Sequence, residues 1–289
     1  IGGRLVGPGH PVFVIAEAGV NHNGSLDLAK KLVDVAVESK ADAVKFQTFK
    51  AERLVSPHAP KAEYQLSTTD GNESQYEMLL KLELPRDHHV KLAQYCSQRG
   101  ILFLSTPFDE QSADFLNDMG IGAFKVPSGE ITNLLFLEHV ACKGKPMLVS
   151  TGMSFMEEVR IAVDTIRQKG NQDIVLLHCV SEYPAKLECV NLVAIRTMAD
   201  FFGLPVGYSD HTMGIEIALA SAALGACVIE KHFTLDRGMP GPDHKASAEP
   251  NELCDLVSGI RKVEMALGDG IKAPASCELN NRRIVRKSL

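Results

Sequence analysis

Two histidines stand where apolar runs end, His211 just after VGYSD (206–210) and His232 within VIEKHF (228–233). If these runs are adjacent strands, they lie about 4.8 Å apart. Two imidazoles so placed reach one ion at nitrogen–metal distances of about 2.1 Å. Nitrogen ligands with positions left for water or a carbonyl suit Mn, Fe, Co or Zn. From spacing alone, a pair of hydrogen-bonded rim histidines is an equal reading, and the helical HExxH zinc motif is absent. Lys45 and Lys125 lie inside apolar runs, where an ammonium is rarely buried without a partner. Facing one cavity, they would hold an anion, with Thr106, Ser128 and Ser209 as hydroxyl donors. The competing reading is internal ion pairs, with Glu17 or Glu130 as partner. Glu17, Glu130, Asp210 and Asp243 suit a general base, a hydroxyl acceptor or a metal neighbour, although any one alone is more often a structural hydrogen-bond partner. The turn Met239-Pro240-Gly241-Pro242-Asp243-His244 would aim Asp243 and His244; read alone, it is an ordinary tight loop.

The remaining reactive residues read more plainly. His22, between Asn21 and Asn23, is expected to cap the helix that follows. His10, His58, His88, His89 and His139 read as solvated, and Cys142, Cys189 and Cys254 as helix packing. Cys179 ends an apolar run with no base disposed to activate it, so it is not read as a nucleophile. The stretch from Met78 to Leu84 reads as core.

The elements that must position these groups follow a regular rhythm. Apolar runs of strand length occur at 12–18, 43–48, 101–106, 123–128, 146–151, 174–179, 206–210 and 228–233, with the marks of buried parallel strands. Helical patterns fill the gaps. One follows a Ser25 N-cap with Leu28, Leu32, Val35 and Ala36 on one face. Others begin near Asp87, Asp109, Leu134, Met156, Leu192 and Ile215, and the last spans 250–267. Strand then helix, eight times over, predicts a (β/α)8 TIM barrel of the α/β class rather than an open sheet. The polar residues sit at the C-terminal ends of the runs, the face on which such barrels build their chemistry. The long connection 49–72 is expected to be a lid or binding loop.

Composition sets the limits. The chain has 289 residues, and such barrels commonly take about 250 as one domain. A net charge of -6 argues against nucleic acid or an acidic membrane as partner. Seven cysteines without a CxxC pair argue against a disulfide framework and fit a reducing cytoplasm. No apolar run is long enough to span a bilayer. The sequence opens at Ile1 and stops after the basic residues Arg282, Arg283, Arg286 and Lys287, as an interrupted linker would. Residues 1–267 are therefore expected to be the catalytic barrel and 268–289 a C-terminal linker.

Nine ordered motifs extend the reading: AEAGVNHNGS (16–25), VKFQT (44–48), STPFD (105–109), KVPSGE (125–130), STGM (150–153), LLHCVSEYP (176–184), GYSDHT (207–212), IEKHFTLD (229–236) and PGPDHKAS (240–247). Together they resemble the sialic acid synthase family, which makes N-acetylneuraminate, legionaminate and pseudaminate. AEAGVNHNGS and the KAERLVSPHAPKAEYQ that follows strand two most resemble the bacterial N-acetylneuraminate and N,N′-diacetyllegionaminate branch. The resemblance implies condensation of phosphoenolpyruvate with an N-acetylated amino sugar and water, giving a nine-carbon sugar and phosphate. The sugar would be N-acetylmannosamine or 2,4-diacetamido-2,4,6-trideoxymannose. It implies a divalent metal, usually Mn2+, on His211 and His232. It places phosphoenolpyruvate on Lys45, Thr106, Lys125, Ser128, Ser181 and Ser209, and the amino sugar on Gln47, Glu130, Tyr183 and Asp243. Glu17 matches the carboxylate that handles the attacking water, which makes Glu17, His211 and His232 the catalytic set. Some bacterial relatives carry Asn where Ser181 stands. The resemblance further implies a domain-swapped homodimer and a C-terminal antifreeze-like domain whose Arg reaches the partner's sugar. The sequence ends before that domain, which is expected to be absent from this chain.

Three rival readings remain. A synthase acting on a sugar phosphate would need strand-end Arg or further Lys, and the motifs hold no strand-end Arg. A metal-dependent hydrolase or aldolase on the same barrel usually wants a His-x-His pair at strand one, where His22 stands alone. A non-catalytic sugar-binding protein would have no use for Glu17, His211 and His232 together.

Overall fold

The computed structural model describes residues 1–66 and 68–287. Eight parallel strands and twelve α-helices alternate among the described residues. The strands are β1 (Phe13–Gly19), β2 (Ala43–Thr48), β3 (Leu102–Pro107), β4 (Phe124–Val126), β5 (Met147–Ser150), β6 (Ile174–His178), β7 (Val206–Asp210) and β8 (Val228–His232). β1 pairs with both β2 and β8, so the first and last strands are neighbours. β3 packs against β4, and the sheet closes on itself as the expected (β/α)8 barrel. Each of the eight expected runs is a strand, with ends that differ by no more than a few residues.

The helices follow from local chemistry. α1 (Leu26–Glu38) starts where the Ser25 hydroxyl accepts from the Leu28 N–H at 3.3 Å, and it buries Ala29, Leu32, Val33 and Ala36. Ser25 is thus the cap. His22 instead accepts from the Gly24 N–H at 3.0 Å within the turn before it. The connection after β2 is more structured than a loop: it holds α2 (Ala51–Leu54), α3 (Glu63–Leu66) and α4 (Gln75–Leu82), ahead of α5 (Arg86–Arg99). The Ser74/Glu77 capping box starts α4. α6 (Glu110–Asp118) is capped by Asp109, whose carboxylate accepts from the Ser112 N–H at 2.9 Å. α7 (Leu134–Ala141), α8 (Met156–Gln168), α9 (Ala194–Phe202), α10 (Glu216–Ala223) and α11 (Pro250–Leu267) complete the outer ring. Residues 268–287 carry α12 (Leu279–Val285) and are exposed throughout, while Ser288 and Leu289 lie outside the described residues.

One continuous apolar core joins strands to helices, and a small second cluster of Val20, Phe49, Met78 and Leu82 sits under the insertion. Of the stretch from Met78 to Leu84 expected as core, Met78 and Leu82 belong to this satellite and Leu84 to the main core, whereas Leu80 is exposed. His89, expected at the surface, is buried: Nε2 lies 3.2 Å from the Gln47 carbonyl, and the ring meets Phe115 edge-on. Helical spacing turned it inward from α5, which a single His in a polar stretch does not announce. Cys142 and Cys189 are exposed rather than packed, because each falls just past or outside the buried face of its helix.

Candidate active site

Side chains alternate across a strand, and in a barrel every second one points inward. The register therefore selects the cavity floor. Glu17 on β1 is level with Lys45 on β2 and His232 on β8, and Ser209 on β7 is level with Glu230. The out-of-phase neighbours pair elsewhere. Lys231 donates to the Asp210 carboxylate and the Thr212 carbonyl, both at 2.8 Å. Asp210 is thus a structural partner behind the floor, one of the uses expected for it. His178 is likewise turned outward, to the Val190 carbonyl at 2.7 Å.

The cavity opens at the C-terminal ends of the strands and holds about 360 Å3, within the range of small-molecule sites, about 300–1,000 Å3. Both lysines reach it, and neither is unpaired. Lys45 Nζ lies 2.7 Å from Glu17 Oε2, 2.8 Å from Thr106 Oγ1 and 3.6 Å from Glu230 Oε2. Lys125 Nζ lies 3.4 Å from Glu230 Oε1, which also accepts from Ser209 Oγ at 2.9 Å. The ion-pair reading and the shared-cavity reading are thus both true: the lysines face one cavity and share a carboxylate. That carboxylate, Glu230, was not singled out in the sequence, although it sits two residues before His232, in phase with it. Burial pushes the Glu17 carboxyl up, with Lys45 opposing. Burial would do the same to Glu230, but Lys125, Lys45 and the Ser209 hydroxyl hold it well below the usual carboxylate range.

The two imidazoles stand together at the same level, ring centroids 5.8 Å apart. His211 Nδ1 lies 2.6 Å from the Val180 carbonyl, so Nδ1 carries the proton and Nε2 keeps a lone pair toward the cavity. Burial lowers the His211 pKa to about 4 and keeps His232 well below its ordinary value. Both rings are therefore neutral, the form that ligates metals. His232 Nδ1 is buried with no hydrogen-bond partner, an orphan that a cation would satisfy. Among the described residues no third His, Cys, Asp or Glu joins them in a ready-made cage. Two protein nitrogens with the other positions open fit a catalytic rather than a structural ion. Tyr183 packs its ring 4.2 Å from His211 and edge-on to His232 at 5.7 Å.

The opposite side of the cavity is a hydroxyl cradle. Ser128 follows β4 and Ser181 follows β6, and both line the cavity, while Gly152, following β5, lies against their hydroxyls. Ser128 Oγ accepts from the Gly152 N–H at 3.0 Å and lies 3.2 Å from Cys179 Sγ. A Cβ on Gly152 would overlap Ser181 Oγ and lie 2.8 Å from Ser128 Oγ. Only glycine leaves the cradle open, and nothing in STGM pointed to that beyond the motif itself. Gln47, Tyr183 and Asp243 also line the cavity. Asp243 is brought there by its turn: His244 lies 2.6 Å from Thr234 Oγ1 and 3.2 Å from Asn23 Oδ1, pinning the turn to the β1 loop. Burial alone raises the Asp243 pKa to about 6. Glu130 stands apart: it does not line the cavity, and its carboxylate accepts from Asn133 Nδ2 at 2.8 Å.

A barrel whose mouth joins neutral imidazoles, paired lysines and a hydroxyl cradle belongs to the barrel enzymes. The sequence profile of the NeuB family matches residues 32–272. The N,N'-diacetyllegionaminic acid synthase of Legionella pneumophila is 54% identical, the match covering 96% of this chain and 79% of that protein. The protein of the same name from Campylobacter jejuni is 54% identical, over 96% of this chain and 84% of its own. The crystal structure of N-acetylneuraminic acid (sialic acid) synthetase from Leptospira borgpetersenii superposes with a TM-score of 0.86 at 35% identity, covering 98% of this chain and 94% of that one. The chain belongs to the NeuB family, the sialic acid synthases that its motifs resemble.

Proposed function

We propose that this enzyme condenses phosphoenolpyruvate with an N-acetylated amino sugar and water to give a nine-carbon sialic-acid-type sugar and phosphate. The likeness to two N,N'-diacetyllegionaminic acid synthases supports 2,4-diacetamido-2,4,6-trideoxymannose as the sugar. The observation that carries the reading is the placement of two neutral imidazoles and two lysines on one cavity floor. Lys45, Lys125 and Thr106, with Ser128, Ser181 and Ser209, bind the phosphate and carboxylate of phosphoenolpyruvate. These charges persist through the reaction, so the residues serve binding and orientation. Gln47, Tyr183 and Asp243 hold the sugar. The sugar-site role of Glu130 rests on the resemblance alone, since its carboxylate lies outside the cavity on Asn133.

His211 and His232 hold a divalent cation, with Mn2+ our choice, which when bound supplies Lewis-acid polarisation of a carbonyl. Glu17 sits beside Lys45 with its proton affinity raised by burial, suited to orient water and take its proton as that water adds to C2 of phosphoenolpyruvate. C3 forms the new bond to the sugar's aldehyde carbon, and phosphate departs by C–O cleavage. Lys45, held between Glu17 and Glu230, offsets the repulsion between the two buried carboxylates. We take a homodimer as the assembly and the cytoplasm as the compartment; all seven cysteines are free, and no helix among the described residues is long and apolar enough to cross a membrane. Residues 1–267 then form the catalytic unit and 268–289 the connecting segment.

The test is release of phosphate from phosphoenolpyruvate with the diacetamido sugar and Mn2+. Release that stops on chelation and resumes with Mn2+ is expected, with oxygen-18 from the C2–O bridge leaving in phosphate. Release without any sugar would refute the reading.

A further inference from the structure

We propose that the insertion between β2 and α5 is the specificity wall of this site, selecting amino sugars by the end remote from the reacting carbonyl. This rests on the reaction proposed above. The reacting end must meet His211 and His232, and the anion side is fixed by the hydroxyls that follow β4 and β6. Away from these groups the lining includes the connections that follow β2 and β8. After β2 it comes from the insertion: Leu54, Val55, Met78 and Leu79, with the amides of Gln65 and Gln75. None of these six is charged, and the ammonium groups that line the cavity, Lys45 and Lys125, are on its floor. A phosphate at the far end of the sugar would meet side chains that offer it no cation. A free hydroxyl would lose water to an apolar surface with only amides to replace it. A methyl group suits Leu79 and Val55, and an acetamido group suits an amide beside an apolar face. The wall therefore takes a deoxy, acetamido-bearing end and rejects a phosphorylated one.

The wall is built, not improvised. Lys61, its side chain buried, donates to Thr69 Oγ1 at 2.9 Å, the Asp70 carbonyl at 2.7 Å and Glu73 Oε1 at 3.1 Å. Glu83 accepts from the Ala51 N–H at 2.9 Å and from Lys50, closing the base of the insertion. Met78 and Leu82 root α4 in the satellite core with Val20 and Phe49. On the far side Thr68 Oγ1 lies 3.4 Å from the Pro242 carbonyl, next to Asp243. Wall and sugar-side carboxylate are thus held in one frame.

The experiment compares kcat/KM for 2,4-diacetamido-2,4,6-trideoxymannose, N-acetylmannosamine and N-acetylmannosamine 6-phosphate at saturating phosphoenolpyruvate and Mn2+. A methyl-sized difference in an apolar pocket discriminates by about tenfold or more, so the wild type should prefer the diacetamido sugar by at least that much. Leu79→Ala and Val55→Ser should each shrink the preference about fivefold or more, acting on the KM for sugar and not on that for phosphoenolpyruvate. Gln75→Lys should raise turnover of the 6-phosphate relative to the other two. Thermal melting identifies any variant that fails to fold; Val55, half-buried at the edge of the wall, carries the test if Leu79→Ala does. Selectivity left unchanged by the folded variants, with wild-type turnover intact, overturns the wall and leaves the reaction standing. A wild type that turns over none of the three sugars overturns both.

Discussion

Asp243 gives the sharpest test of the site's electrostatics, because replacing it should make the protein more stable and less active at once. Its carboxyl lines the cavity, and burial alone raises its pKa from 3.8 to about 6. The unfolded chain ionises this group from about pH 4, whereas the fold resists ionisation until about 6. Below pH 4 both states are protonated and burial costs nothing. As pH rises from 4 to 6 the unfolded state is increasingly favoured, and above 6 the full penalty applies. At about 1.4 kcal/mol per pH unit, the penalty reaches about 3 kcal/mol. Asp243→Asn keeps the shape and removes the charge. It should melt with the wild type at pH 4 and above it at pH 8, by about 6 °C at about 2 °C per kcal/mol for a chain of this size. Turnover should fall about 100-fold if the carboxylate holds the sugar through the transition state. Melting curves of both proteins across pH 4–8, with phosphate-release kinetics at pH 8, check both halves. A melting difference that does not grow with pH, or one of opposite sign at pH 8, refutes the account of burial.

Gly152→Ala should raise the KM for phosphoenolpyruvate about tenfold or more, the equivalent of about 1.4 kcal/mol, with the KM for sugar little changed, because its Cβ intrudes between Ser128 and Ser181; steady-state kinetics in both substrates read this directly. His232→Ala should abolish Mn2+ binding measured by calorimetry and lower kcat more than it raises either KM; normal Mn2+ affinity in the variant would remove His232 from the site. Lys61→Met should cost about 1–3 kcal/mol by removing the donor to the Asp70 carbonyl, Thr69 Oγ1 and Glu73 Oε1, with Glu73 keeping only its bond from Lys81, and limited proteolysis should then cut within 56–73 at low protease while the barrel stays intact.

The barrel could be read from the chain because its signal is repeated: eight buried runs, each followed by a helix pattern, constrain one another. The site residues that stood out shared two properties. They were polar residues at strand ends, as with Lys45 and His211, and strand period then sends them to one face. Glu230 is in phase with His232 on a five-residue strand, so the period that points one imidazole into the cavity also points that carboxylate there. The double life of the lysines, by contrast, was illegible. Whether a buried ammonium meets an internal carboxylate or a ligand is a question of distances near 3 Å, and pattern cannot resolve it; the structure answers with Glu17 and Glu230, carboxylates that an incoming anion must share or displace. The insertion shows the opposite limit. Its length in sequence promised a lid or binding loop; what orders it is a buried Lys61, a capping box and a four-residue satellite core, none of which the sequence pattern announces. Periodic order is visible in a single sequence, while order assembled from particular contacts becomes visible only once the contacts are made.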